Sequence, residues 1–181
     1  MRIIGGKYRS RTLLAPKGME TRPTLDQVRE ALFNILQGQI EGIVILDLYG
    51  GSGAVALEAI SRGASAAVIS DQSRDAVTVI KKNVAALGCE DQVTVLQMKD
   101  QMALERLEKE QRTFDLVFLD PPYKLDMTDV LTRITAGPLL RPGGKSVLEH
   151  AASNQAPEIP GLRLLSTRKY RDTSLTFYEK E

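Results

Sequence analysis

The pattern that most limits the fold starts at Ile43. A continuous apolar run, Ile43-Val44-Ile45-Leu46, gives way to Gly50-Gly51-Ser52-Gly53, and apolar residues then return at helical spacing at Val55, Ala56, Ala59 and Ile60. An unbroken apolar strand suits burial on both faces, the condition of a parallel strand covered by helices. The alternation then repeats. Ala66-Ala67-Val68-Ile69 reads as a second strand ending at Asp71, and a helix with Ala76, Val77, Ile80, Val84 and Leu87 stops at Gly88, a natural residue after a helix end. Val93-Thr94-Val95-Leu96 is a third strand, followed by Asp100 and a charged helix to about Gln111. Phe114 to Leu119 is a fourth, with a helix over about Met127 to Thr135 behind it. Arg141-Pro142-Gly143-Gly144 reads as a turn, Ser146-Val147-Leu148 as a fifth strand, and 162–170 with 173–178 as a closing hairpin. This order predicts an α/β fold: a mainly parallel seven-stranded sheet with helices on both faces.

Two elements precede that alternation. Residues 2–14 predict a short hairpin turning at Gly5-Gly6. After a loop over 15–23, Thr24 predicts an N-cap, with Gln27 three residues on and Val28, Ala31, Leu32, Ile35 and Leu36 on one helical face. At 181 residues the chain is expected to be one domain, a hairpin extension over 1–22 on a core over 23–181.

Sheets of this kind take ligands at the carboxyl ends of their strands, and three features fall there. Gly51-x-Gly53-x-x-Ala56 matches the glycine fingerprint of nucleotide-binding loops, in which the backbone approaches a ligand and a helix N-terminus offers free N–H groups. Asp71 ends the second strand, placed to accept bonds from ribose hydroxyls. Asp100 lies just past the third, placed to reach an adenine amino group. Asp47, just before the loop, discriminates between cofactors. It is a poor neighbour for a pyrophosphate and a good one for the ammonium and sulfonium of S-adenosylmethionine. A nicotinamide-dependent oxidoreductase is disfavoured on that ground, and by the lack of an evident catalytic His, Lys or Tyr-Lys pair.

The fourth strand delivers Asp120-Pro121-Pro122-Tyr123 to the same edge. Consecutive prolines fix φ and remove two donors, leaving the Pro121 carbonyl free to face a substrate. With the Asp120 carboxylate it can accept both hydrogens of a planar exocyclic amine, and Tyr123 offers a π-face to the base that carries it. An aromatic amine is a weak nucleophile. Two acceptors on its hydrogens raise its electron density and align its lone pair. A non-catalytic RNA-binding module is disfavoured by this intact motif.

With these residues in view, the chain resembles the class I S-adenosylmethionine-dependent methyltransferases, and among them the RsmD family, which methylates N2 of a guanine in bacterial 16S ribosomal RNA. The resemblance runs the length of the chain. It includes Arg2-Ile3-Ile4-Gly5-Gly6-Lys7, Thr21-Arg22-Pro23-Thr24, Val28-Arg29-Glu30-Ala31-Leu32-Phe33-Asn34, Leu46-Asp47-Leu48-Tyr49-Gly50-Gly51-Ser52-Gly53, Leu57-Glu58-Ala59-Ile60-Ser61-Arg62-Gly63-Ala64, Leu119-Asp120-Pro121-Pro122-Tyr123 and Lys169-Tyr170-Arg171-Asp172-Thr173. It implies a Rossmann-like fold, S-adenosylmethionine as methyl donor with S-adenosylhomocysteine as product, and 16S ribosomal RNA or a small-subunit assembly particle as partner. It also implies a cofactor site of Arg22, Pro23, Thr24, Asp47, Tyr49, Gly50, Gly51, Ser52, Gly53, Asp71, Gln72, Asp100 and Gln101, and a catalytic set of Asp120, Pro121, Pro122 and Tyr123. The same amine chemistry would serve a methylase of DNA adenine or protein glutamine; the short chain leaves little room for a DNA-reading domain. The family usually has Phe-Ala where this chain has Tyr49-Gly50, and Glu where it has Asp71. The shorter acid predicts a weaker or water-bridged ribose contact.

Charge enters through its distribution. The net of +1 excludes a uniformly basic nucleic-acid binder. Yet residues 1–22 carry six bases against Glu20, residues 161–181 five bases against three acids, and the stretch between is acidic. Arg2, Lys7, Arg9, Arg11 and Lys17 are therefore the expected phosphate-gripping residues. One cysteine (Cys89) and one histidine (His150), both read as structural, leave no ligand set for a metal. No apolar run approaches the ~18 residues of a membrane span, and the N-terminus lacks a signal-peptide core. The expectation is a cytoplasmic monomer.

Overall fold

The computed structural model describes residues 1–18 and 23–181, with the side chains of Pro23 and Thr24 left aside. The elements follow in chain order: α1 (Pro23–Ile35), β1 (Val44–Asp47), α2 (Ala54–Ser61), β2 (Ala66–Asp71), α3 (Arg74–Leu87), a 3₁₀ turn (Glu90–Gln92), β3 (Val93–Gln97), α4 (Asp100–Lys109), β4 (Phe114–Leu119), α5 (Thr128–Ala136), β5 (Leu140–Ala151), β6 (Leu162–Tyr170) and β7 (Thr173–Lys180). They form one seven-stranded sheet in the order β3-β2-β1-β4-β5-β7-β6. β3, β2, β1, β4 and β5 run parallel, and β7 is antiparallel to both of its neighbours. No helix among the described residues is long and apolar enough to cross a membrane.

The continuous apolar strands divide their side chains between two cores. On one face Ile45, Ile69, Phe118 and Phe177 pack with residues of α1, α2 and α3, among them Val28, Leu32, Leu57 and Ile80. On the other, Leu46, Val68, Val117 and Tyr178 pack with residues of α4 and α5, among them Leu104, Leu107, Leu131 and Ile134. Ile45 and Leu46 are adjacent in sequence, enter opposite cores and are both wholly buried. Burying a side chain of this size is worth roughly 1.5–3 kcal/mol. That explains why neither position of the β1 run alternates with polar residues.

Three expectations need adjusting. The hairpin over 2–14 is short: one antiparallel bridge, Arg2 with Thr12, flanked by bonds from Ile3 N–H to the Arg11 carbonyl (3.0 Å) and from Leu13 N–H to the Met1 carbonyl (2.7 Å). The backbone donors around its turn go to α2: Ile4 and Gly5 N–H to the Glu58 carboxylate, Lys7 N–H to the Ser61 carbonyl and Tyr8 N–H to Ser61 Oγ. The segment both pairs with itself and docks on α2. α1 opens at Pro23, one residue before the expected cap at Thr24, which puts a residue without an N–H in the first turn, where that N–H has no partner anyway. The turn at 141–144 lies inside β5. There the register against β4 jumps between Phe114 and Leu116, and Gly143 takes φ +77°, so the extra residues bulge without ending the strand.

Candidate functional site

The strand order reverses direction between β1 and β4, and a crevice opens beyond the carboxyl ends at such a point. It holds a cavity of about 620 Å³, within the usual size of a ligand pocket. Asp47, Tyr49, Gly50, Gly51, Ser52, Asp71, Gln72, Asp100, Asp120, Pro121 and Pro122 all line it. Residues 47 to 122 thus converge because β1, β2, β3 and β4 end on one edge.

The glycine loop is held from behind. Gly50 N–H donates to the Ser70 carbonyl (2.8 Å), and Gly51 N–H donates to Asp71 Oδ2 (2.9 Å). Asp71 Oδ1 takes Ser73 N–H (2.9 Å), so its carboxylate fixes both the loop and the entry to α3. Gly53 takes φ +81° as the residue preceding α2; it shapes the turn and does not line the cavity. Gly50 needs its missing side chain for a different reason, since a Cβ there would lie 2.4 Å from Ile69 Cγ2.

Asp47 is 1 % exposed, and its Oδ1 has no hydrogen-bond partner among the described residues. Burial first, then the neighbouring Asp120 and Asp71 carboxylates, push it up to about 8, against the pull of backbone N–H groups at Ala56 and Tyr49. A buried acid with an unpartnered oxygen in the wall of a cavity is costly unless a donor or cation arrives there. Across the cavity, Tyr49 Oη donates to Asp100 Oδ2 (2.7 Å), and burial and that bond raise the phenol well above its ordinary value. Asp100 Oδ1 accepts Gln101 N–H (2.7 Å). The Gln101 side chain turns away, accepting from Arg133 (2.8 Å), and stays outside the cavity.

At the end of β4, Pro122 gives its carbonyl to Leu125 N–H (3.0 Å), while the Pro121 carbonyl takes no hydrogen bond among the described residues. Tyr123 is 53 % exposed beside the mouth and not on the wall. Arg22 lies outside the described residues. Arg2, Lys7, Arg9, Arg11 and Lys17 are all exposed, and none lines the cavity. Lys7 reaches Gln92, and Arg11 donates to the Ala86 carbonyl (2.6 Å) near the end of α3. Cys89 is buried, and His150 bonds Thr176 Oγ1 and the Ala151 carbonyl, so both sit in structural settings.

Three charged lining residues escape the sequence reading, Lys99 just before α4 among them. Arg29 comes from α1, buried and ion-paired with Asp26 (3.4 Å) and Glu58 (3.5 Å). Glu149 comes from the end of β5, 7 % exposed. The signal for Glu149 was present: an acid ending an apolar strand, as with Asp47, Asp71 and Asp120. For Arg29 there was none, since one basic residue on a helix face is ordinary.

The family model "Conserved hypothetical protein 95" matches residues 1–179. The "Putative rRNA methyltransferase YlbH" of Bacillus subtilis is 36 % identical over 183 residues, covering 99 % of this chain and 99 % of that protein. The "Ribosomal RNA small subunit methyltransferase D" of Escherichia coli is 38 % identical over 124 residues, which take in 68 % of this chain and 61 % of that one. Among solved structures, the "Putative methyltransferase yhhF from Escherichia coli" superposes with a TM-score of 0.88 at 30 % identity, covering 100 % of this chain and 98 % of that chain.

Proposed function

Because the chain belongs to the conserved hypothetical protein 95 family, the RsmD family of methyltransferases, we propose that it methylates the exocyclic N2 amine of a guanine in 16S ribosomal RNA, with S-adenosylmethionine as donor. One observation carries this reading. A single cavity joins the unpartnered Asp47 oxygen to Asp120 and the untaken Pro121 carbonyl.

The residues fit that cofactor. Asp47 Oδ1 lacks the donor that a ligand ammonium would bring, and Gly50 to Ser52 present backbone to the same space. Asp71 and Asp100 supply acceptors at the ends of β2 and β3 for ribose and adenine. When bound, S-adenosylmethionine supplies an electrophilic methyl group on a sulfonium. The chain's part is orientation and charge. Asp120 and the Pro121 carbonyl would accept the two N–H groups of the amine, hold its lone pair in line, and stabilise the positive charge that grows on nitrogen. A base inside folded RNA must first leave its stack to reach them, and Tyr123 at the mouth offers a face on which it can rest.

The test is transfer of labelled methyl to 16S RNA or small-subunit particles, followed by mass analysis of the nucleosides. N2-methylguanosine is expected. A methyl group on another base overturns the guanine assignment, and no transfer with cofactor bound overturns the RNA assignment. Asp120→Ala should lower transfer by roughly 100-fold or more while S-adenosylhomocysteine binding stays within about threefold; loss of both together would mean that Asp120 belongs to the cofactor site.

A further inference from the structure

We propose that Glu149 is the positioning residue that keeps Asp120 a hydrogen-bond acceptor, by donating to it the hydrogen bond of a protonated carboxyl group. This rests on the methyl-transfer reading above and adds the device that sets the protonation of its acceptor.

The placement follows from register. β4 and β5 run parallel with Leu119 opposite Leu148, so the next residues, Asp120 just past β4 and Glu149 still within β5, stand side by side at the carboxyl edge of β4. Both line the cavity, and Glu149 is 7 % exposed. Among the described residues neither acid makes an ion pair. The other charged groups on the cavity wall are Asp47, Asp71 and Asp100 from the ends of β1, β2 and β3, Lys99 beside Asp100, and Arg29 from α1. Arg29 is committed to Asp26 and Glu58. The neighbourhood is therefore anionic, and two adjacent buried carboxyls there cannot both ionise. Burial, then the Asp120 and Asp47 charges, push Glu149 far up, whereas the hydrogen bond from Glu149 draws Asp120 back down against its own burial. The shared proton sits on Glu149.

That arrangement has a chemical use. As the bond from the amine nitrogen to the methyl carbon forms, the sulfur–methyl bond breaks and its electron pair stays with sulfur. The nitrogen, now positive, releases one proton to the free oxygen of Asp120, and from there it passes to water. Glu149 keeps its own proton throughout. If Asp120 were protonated beforehand, it would offer a donor where an acceptor is needed and could not take that proton.

The experiment is the pH dependence of single-turnover methyl transfer between pH 5 and 9, for wild type, Glu149→Gln and Glu149→Leu, with S-adenosylhomocysteine binding measured alongside. The wild-type rate should rise as Asp120 ionises. In Glu149→Leu the donor is gone, and the acid limb should move up by roughly one to two pH units, the worth of a hydrogen bond to a charge. In Glu149→Gln the carboxamide still donates, and the acid limb should stay where the wild type has it. Coincident acid limbs for wild type and Leu, or a Gln limb displaced as far as Leu, would overturn the role of Glu149 while leaving the methyl-transfer reading intact. Failure of that reading shows separately, as a wild type that binds cofactor and transfers nothing. Should Glu149→Leu not bind S-adenosylhomocysteine, Glu149→Met serves as the second non-donor, and the same comparison decides.

Discussion

A carboxyl group held up to about 8 at the bottom of a cavity works against the fold that carries it. The unfolded chain releases the Asp47 proton near pH 4, and the folded chain keeps it until about pH 8. Between those limits the native state binds more protons, so its stability falls as pH rises. Asp47→Asn removes that loss. The unfolding midpoint of the ligand-free variant should exceed that of wild type at pH 8 and match it near pH 4. A ligand ammonium requires the ionised form, so S-adenosylhomocysteine binding at pH 6.5 should release close to one proton. Calorimetry in two buffers of different ionisation enthalpy reads that number, and it should vanish in Asp47→Asn together with roughly tenfold or more of the affinity. The sequence shows such residues by type and place: acids ending apolar strands announce Asp47, Asp71 and Asp120. It does not show their states, which depend on how closely register brings them together. The replacements at Tyr49 and Gly50 are similarly opaque until packing is seen. The phenol spends its hydroxyl on Asp100, and Ile69 fills the space an alanine at position 50 would need.

At the scale of elements, Glu58 joins the N-terminal segment to the glycine loop's own helix. It is wholly buried on α2, and its carboxylate accepts Ile4 N–H (2.9 Å), Gly5 N–H (2.9 Å) and Arg62 Nε (2.8 Å), with Arg29 Nε at 3.5 Å. Asn83 of α3 adds a second tie: it bonds Leu14 through both N–H and carbonyl, and its amide N–H donates to the Ser52 carbonyl of the loop (2.9 Å). Removing one partner from a buried charged network of this kind costs about 3–5 kcal/mol. Glu58→Ala should lower the unfolding midpoint by several degrees and speed amide exchange at Ile4 and Gly5. It should also weaken S-adenosylhomocysteine binding, because Met1 and Arg29 form part of the cavity wall. Unchanged exchange at those two amides would mean that the segment is held without Glu58, by its bonds to Ser61 and Asn83 and its apolar contacts at Ile3 and Leu13. Elements built on local signals are legible in advance: the apolar run of β4, the helical spacing of α3 from Ala76 to Leu87 and its stop at Gly88. The docking of residues 1–14 is not, because its bonds cross more than fifty positions, and in the sequence Glu58 shows only its helical spacing to Arg62.

Across the whole molecule, the two basic ends of the chain lie toward opposite edges of the sheet. Lys7 and Arg11 touch Gln92 and Ala86, beside β3 at one edge, while Arg168 and Lys169 stand exposed on β6 at the other. Six interstrand spacings of about 4.8 Å separate those edges by roughly 29 Å, and the cavity beyond β1 and β4 opens between them. Lys180 does not contribute to the C-terminal patch, since its ammonium donates to the Gly137 and Leu140 carbonyls, and Arg163 is paired with Glu179. An RNA held at both edges would therefore cross the site with its phosphates gripped on either side and its target base over Asp120. Each phosphate neutralised adds about 0.7–0.9 to the slope of log affinity against log salt. Replacing Lys7 and Arg9 with Ala should cut that slope by about 1.5, and replacing Arg168 and Lys169 should do the same. Because the two patches share no neighbours, the four-fold variant should lose the sum of both effects. S-adenosylhomocysteine affinity should hold in all three, since none of these side chains lines the cavity. A slope that responds at one edge only would place the RNA on that side of the sheet and leave the other patch as solvated surface.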